Sequence, residues 1–210
     1  MTTKEYFILA LGFLGQGLFG IRMISQWIQS EKAGRVISPT VFWRTSLIAS
    51  FIFMIYGILR HDAVIIFGQI LSYFIYIRNL QLKNAWKSIH ITLRVLAFIL
   101  PPIIITIVFV DTDFIINLSA KNDFTKPIIL AGAIGQALLN FRFIYQWYYS
   151  EKSKISVLPL GFWVISAIAS FIVLAYALYR VDVVLLLAQS LGLIVYTRNI
   201  MLEKKIKTSE

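Results

Sequence analysis

The residues best suited to chemistry in this chain are two arginines set inside apolar stretches. Residues 15–32 read GQGLFGIRMISQWIQSEK, and residues 135–152 read GQALLNFRFIYQWYYSEK. Arg22 and Arg142 stand at the same place in these matching segments, and each is followed four residues later by Gln26 or Gln146. Positions i and i+4 share one face of a helix, so each segment carries a polar stripe on an apolar element. A guanidinium keeps its charge in any protein setting and grips phosphate through paired N–H donors. No acid lies at the same depth in either stretch. Glu31, nine residues after Arg22, is about 13 Å away along a helix axis. Two readings follow. Each arginine lies about 9 Å from the end of its helix and snorkels to the surface, or the pair lines a polar cavity. The recurrence of the Arg-x3-Gln stripe favours a cavity, and its occupant would be a phosphate or diphosphate. A buried arginine can also meet backbone carbonyls or an acid from another helix.

Further polar groups punctuate the apolar runs. Gln16, Gln69, Gln136 and Gln189 either bond between helices or recognise hydroxyls on a ligand. Gln69 opens a pattern ending in Tyr76, Arg78 and Asn79, and Gln189 opens its twin ending in Tyr196, Arg198 and Asn199. Arg78 and Arg198 suit helix C-termini as anchors, while the neighbouring asparagines keep a ligand role open. Trp27, Trp43, Trp147 and Trp163 read as an interfacial belt, with Trp43 and Trp163 alternatively a platform for stacking a sugar. Ser30-Glu31-Lys32 and its twin read as a solvated loop, or alternatively as a contact with a partner enzyme or a headgroup. Asp62 and Asp182 read as helix caps beside Arg60 and Arg180. Gly12, Gly15, Gly132 and Gly135 read as sites of close helix packing. There are no cysteines and two histidines, His61 and His90, which read as interfacial polar residues. No catalytic triad, carboxylate pair, phosphate loop or metal spacing is visible. The expectation is therefore no catalytic residue, no metal and no cofactor.

The elements that must position these groups are membrane helices. The chain has 210 residues, 59% of them hydrophobic, and a mean hydropathy of +0.78. Apolar runs of spanning length recur along it. Offsetting the sequence by 120 residues aligns 10–82 with 130–202 without a gap, and 30 of 73 positions are identical. Each repeat holds three hydrophobic segments, near 5–28, 39–60 and 62–82, and near 125–148, 159–180 and 182–202. Pro39 and Pro159 are placed to open new helices. A seventh apolar run lies between the repeats at 89–110, with Pro101 and Pro102 expected to kink it. Three spans reverse the direction of the chain and one more restores it, so the repeats are expected to be parallel. The predicted fold is an all-α integral membrane bundle of seven helices, arranged 3+1+3. Its parts are a first repeat over 1–84, a linker with one span over 85–124, and a second repeat with a basic tail over 125–210.

Charge sets the expected orientation. With the N-terminus outside, twelve basic residues fall on the cytoplasmic side: Arg78, Arg94, Arg198 and the basic loops and tail. Five fall opposite, namely Lys4, Arg60, Lys121, Lys126 and Arg180, accompanied by Asp62, Asp111, Asp113, Asp123 and Asp182. This bias predicts N-out, C-in. It also accounts for the net charge of +10, and no nucleic-acid partner is expected.

The composite pattern GQ-x5-R-x3-QW-x2-SE, P-x2-FW, Y-x3-R-x-D and Y-x-RN resembles the lipid A disaccharide synthase N-terminal domain family, present twice. The 3+1+3 arrangement is similar to that of SWEET and PQ-loop membrane proteins. The Pro-Gln dipeptide of the latter is absent, and Gly15-Gln16 and Gly135-Gln136 take a comparable place. The resemblance implies a bacterial inner-membrane protein linked to lipid A or related glycolipid synthesis. It implies as partners a phosphorylated glycolipid or lipid-linked sugar, membrane lipids and a glycosyltransferase. The synthase's soluble catalytic domain has no counterpart in these residues, so glycosyl transfer is not expected of them. The alternatives are a SWEET-like carrier of a small sugar and a membrane subunit that docks the synthase.

Overall fold

Seven helices account for almost every residue that can be placed. In a computed structural model, residues 2–61, 63–111, 126–181 and 183–209 are described. The helices are α1 (Thr3–Ala33), α2 (Thr40–Leu59), α3 (Ala63–Leu82), α4 (Ile91–Val110), α5 (Pro127–Ser153), α6 (Leu160–Arg180) and α7 (Val183–Ser209). Among the described residues there is no strand. Six helices, all but α3, are long and apolar enough to cross a membrane, and α3 is itself 20 residues long.

The helix ends depart from the hydrophobic segments in the sequence. The first segment runs on through Ser30 and Glu31 to Ala33, and its twin through Ser150 and Glu151 to Ser153. The Ser-Glu-Lys triplets are therefore the last helical turns and not loops. Polar residues continue a helix without penalty once its backbone is hydrogen-bonded, and apolar run length does not register this. Pro159 is the cap preceding α6, while Pro127 takes the first helical position of α5. Helix α4 stays helical through Pro101 and Pro102, and the His90 side chain caps its start by accepting from Thr92 N. His61 has a left-handed backbone and lies 3.5 Å from Asp111. Asp62, Asp113, Lys121, Asp123, Asp182 and the 124/125 junction fall outside the described residues.

The chain forms two compact units, Met1–Arg22 with Thr40–Asn122, and Met23–Pro39 with Asp123–Glu210. In the first, α2 packs on α3 and touches α4. Phe109 of α4 meets Phe67 of α3, and Phe98 meets Trp86. The N-terminal part of α1 lies against α2 through glycines. A Cβ on Gly15 would stand 2.7 Å from the Phe53 ring, and one on Gly12 would stand 3.1 Å from Tyr56. In the second unit, α6 packs against both α5 and α7. Gly132 and Gly135 repeat the glycine device, with 2.7 Å to Tyr176 and to Val173. Each core is centred on matching aromatics: Phe42, Trp43 and Tyr76 in one, Phe162, Trp163 and Tyr196 in the other.

Candidate functional site

Each arginine is buried inside its own unit and joins three helices. Arg22 on α1 donates from Nη1 to Ser46 Oγ on α2 and to Tyr76 OH on α3, both at 3.1 Å. Arg142 on α5 repeats this with Ser166 Oγ on α6 and Tyr196 OH on α7, both at 2.9 Å. Rings complete the walls. The Arg22 guanidinium lies 4.3 Å from Phe19 and 5.3 Å from Phe42. That of Arg142 lies 5.0 Å from Phe143 and 5.3 Å from Phe162. Both arginines are 6% exposed, so their heads lie among side chains and do not reach for the surface. The serines serve two bonds at once. Ser46 donates its proton to Phe42 O and Ser166 to Phe162 O, which leaves their lone pairs for the guanidinium.

Hydroxyls and rings satisfy N–H geometry but carry no formal negative charge. Among the described residues no carboxylate pairs with Arg142, and its Nε is buried without a hydrogen-bond partner. Trp163 Nε1 is likewise buried and without one. A buried charge that cannot shed its proton is costly unless an opposite charge meets it. The second repeat thus holds a buried guanidinium with one N–H left over and, separately, the buried Trp163 donor.

The tryptophans of α2 and α6 are not an interfacial belt. Trp43 and Trp163 are fully buried and lie beside Tyr76 and Tyr196, ring centroids 6.0 and 6.1 Å apart. Packing against the tyrosine that orients the arginine takes the place of an open stacking surface. Trp147 is exposed, and Trp27 donates to Glu31 Oε1 at 3.0 Å.

The glutamines divide into three groups. Gln26 and Gln146 are fully buried and donate to Ser30 Oγ (2.9 Å) and Ser150 Oγ (2.7 Å). Those serines accept from Ile37 N and Val157 N, so each Gln–Ser pair ties the loop after the helix back onto it. Gln26 also exchanges two bonds with Asn199, at 2.8 and 3.2 Å. Gln69 and Gln189 accept from Ser50 and Ser170 of the neighbouring helix at 2.9 and 2.7 Å, the interhelical role. Gln16 and Gln136 are exposed on α1 and α5. Asn79 and Asn199 donate to carbonyls one turn back, Ile75 O and Val195 O. Arg78 donates to Gln81 at 3.2 Å, whereas Arg198 forms a two-pronged pair with Glu31.

Of the predicted site residues, the structure brings together Arg22, Trp43 and Tyr76 in one unit. It brings together Arg142, Trp163 and Tyr196 in the other, with Gln26 meeting Asn199. The groups that sequence reasoning passed over are Ser46, Ser166, Ser50 and Ser170. Their signal was present, because each pair is identical between the repeats inside an apolar helix.

Seven helices among the described residues, six of them long and apolar enough to cross a membrane, and duplicated buried polar clusters define a tandem-repeat, all-helical protein. Residues 11–81 and 131–201 each match the family described as Lipid A Biosynthesis N-terminal domain. The chain therefore belongs to that family and carries its domain twice. It is similar to proteins named lipid-A-disaccharide synthase. That of Chlamydia pneumoniae is 28% identical over 97% of this chain and 35% of its own length. That of Chlamydia felis (strain Fe/C-56) is 26% identical over 91% and 32%. That of Chlamydia muridarum (strain MoPn / Nigg) is 27% identical over 87% and 32%. The chain thus spans about a third of the length of these curated relatives. No solved structure matches it.

Proposed function

We propose that the chain binds a phosphorylated glycolipid or lipid-linked sugar of the lipid A class in the bacterial inner membrane, for presentation or translocation. The observation that carries this reading is the buried Arg142 guanidinium, met by two hydroxyls and aromatic rings but by no carboxylate among the described residues. An ionised side chain inside an apolar helix marks a functional site by default, and arginine is the side chain best shaped for phosphate. The family supplies the ligand class. Parallel repeats over 1–84 and 125–210, joined by the 85–124 linker as 3+1+3, and an N-out, C-in orientation complete the proposal. Tyr76 and Tyr196, bonded to the arginines, would orient them toward the phosphate. A carrier of a small neutral sugar has no use for a buried cation.

A second reading is favoured by the relatives. The matched region is about a third of proteins named as synthases, so this membrane unit would dock such an enzyme. The experiment that separates the two is native mass spectrometry of the gently purified chain beside Arg22→Ala/Arg142→Ala. Selective retention of a phosphorylated glycolipid, lost in a variant that stays helical and monodisperse, supports binding. Identical lipids on both proteins, with a glycosyltransferase co-purifying, would leave docking in its place.

A further inference from the structure

The end of the first unit where α2 begins, α3 stops and α4 starts gathers cations that no described carboxylate of that unit answers. Arg44, near the start of α2, donates from Nη2 to Ser88 Oγ at 2.8 Å. This bond ties α2 to the connection 83–90 between α3 and α4. The connection is folded against the end of α3, where Ala85 N and Trp86 N both donate to Leu80 O. Trp86 is buried and meets Phe98 of α4, ring centroids 6.0 Å apart. Arg94 lies four residues before Phe98, on the same face of the helix. Arg44, Lys83, Lys87 and Arg94 therefore come to one end of the unit. The described carboxylates of the unit stand at the other end. Asp111 follows the last turn of α4, 17 residues from Arg94 and about 25 Å along the helix. Glu5 is in the first turn of α1, before the Gly12 that meets Tyr56 near the far end of α2.

These cations are uncommitted. Among the described residues the side chains of Lys83, Lys87 and Arg94 hold no hydrogen bond or ion pair, and Arg94 Nε is buried without a partner. Half-burial pulls the Lys83 ammonium below the ordinary lysine value, because the charged form loses hydration. Arg44 keeps Nε and Nη1 for a further acceptor. The Arg44 contact is no part of the duplicated design, since Val164 stands at the position 120 residues on.

We infer that this end of the first unit binds the phosphate of an anionic phospholipid. Guanidinium groups grip phosphate through paired donors, and clusters of Lys and Arg at the ends of membrane helices attract anionic headgroups. A lipid suits the surface better than an acidic protein segment, because apolar surface continues from the charge. Ile91 and Phe98 flank Arg94 one turn to either side and are exposed, on a helix apolar enough to span a membrane. The acyl chains would run along α4 from the headgroup. The site uses neither Arg22 nor Arg142, and it is independent of the ligand proposed there.

The test titrates the purified full chain in detergent with dioctanoyl phosphatidylglycerol, dioctanoyl phosphatidylcholine and hexaglutamate, read by calorimetry. Phosphatidylglycerol binds more tightly than phosphatidylcholine, whose headgroup carries its own cation, and hexaglutamate does not bind. Lys87→Gln, an exposed side chain with no partner to lose, weakens phosphatidylglycerol binding about fivefold, the effect of one cation near a charged headgroup. Arg44→Gln/Arg94→Gln weakens it further. Lys152→Gln, an equal loss of charge in the second unit, and Arg142→Ala leave it unchanged, so loss of the glycolipid site would not register here. Equal binding of the two lipids, or unchanged affinity in Lys87→Gln and in the double variant, overturns the proposal. Hexaglutamate binding in place of phosphatidylglycerol also overturns it and assigns the patch to an acidic protein segment.

Discussion

At the scale of single residues, the same three-part contact is built twice. Arg22 with Ser46 and Tyr76, and Arg142 with Ser166 and Tyr196, each join three helices through one guanidinium nitrogen. A hydrogen bond to a charged group contributes about 1.5–3 kcal/mol, and a buried donor left without its acceptor costs about 1–3 kcal/mol. Ser166→Ala should therefore lower stability by about 1–3 kcal/mol in reversible detergent unfolding, and Tyr196→Phe should do the same. The double variant should lose less than the sum, because both substitutions unload the same nitrogen. Strict additivity would mean that the two acceptors do not share Arg142. The serines were readable as repeated positions, but their pairing with the arginines was not. Ser166 lies 24 residues from Arg142, and nothing in one helix reports which face of the next it will meet.

At the scale of helices, glycines set the distance between α1 and α2 and between α5 and α6. Gly135→Ala would put a Cβ 2.7 Å from Val173 and 3.2 Å from the Ala169 carbonyl. The helices would have to part, at a cost of about 1–3 kcal/mol. Gly17 has nothing within 4 Å, so Gly17→Ala should be neutral or slightly stabilising through helix propensity. Thermal unfolding of the two variants side by side checks this, and equal shifts would refute the packing role. Close packing at Gly12, Gly15, Gly132 and Gly135 was legible in the sequence, as was the all-helical character, with seven helices among the described residues. Helix ends were not, because α1 and α5 continue through the Ser-Glu-Lys triplets that hydropathy alone assigns to loops. Nor was the burial of Trp43 and Trp163. A helix that is apolar on every side gives no periodic signal of which face turns inward.

At the scale of the whole chain, the duplication was fully legible, since a gapless offset of 120 residues exposes it. The assignment of Met23–Pro39 to the unit of the second repeat was not. It rests on contacts between residues 173 and 167 positions apart, Gln26 with Asn199 and Glu31 with Arg198. Residues 125–210 expressed alone lack the partner of Asn199 and should unfold or be degraded. Co-expression with 1–84 should restore a complex, and Gln26→Leu in the smaller fragment should weaken it, as read by co-purification. A fragment 125–210 that folds fully on its own would remove this role for α1. The central claim is that a buried arginine in each repeat meets the phosphate of a glycolipid. Solid-state NMR tests it most directly, by recoupling carbon-13 at arginine Cζ to phosphorus-31 in the lipid that co-purifies. The account predicts arginine signal dephased by phosphorus in the wild type and lost in Arg22→Lys/Arg142→Lys. Dephasing that survives in that variant, or that never appears while the lipid is bound, would contradict it.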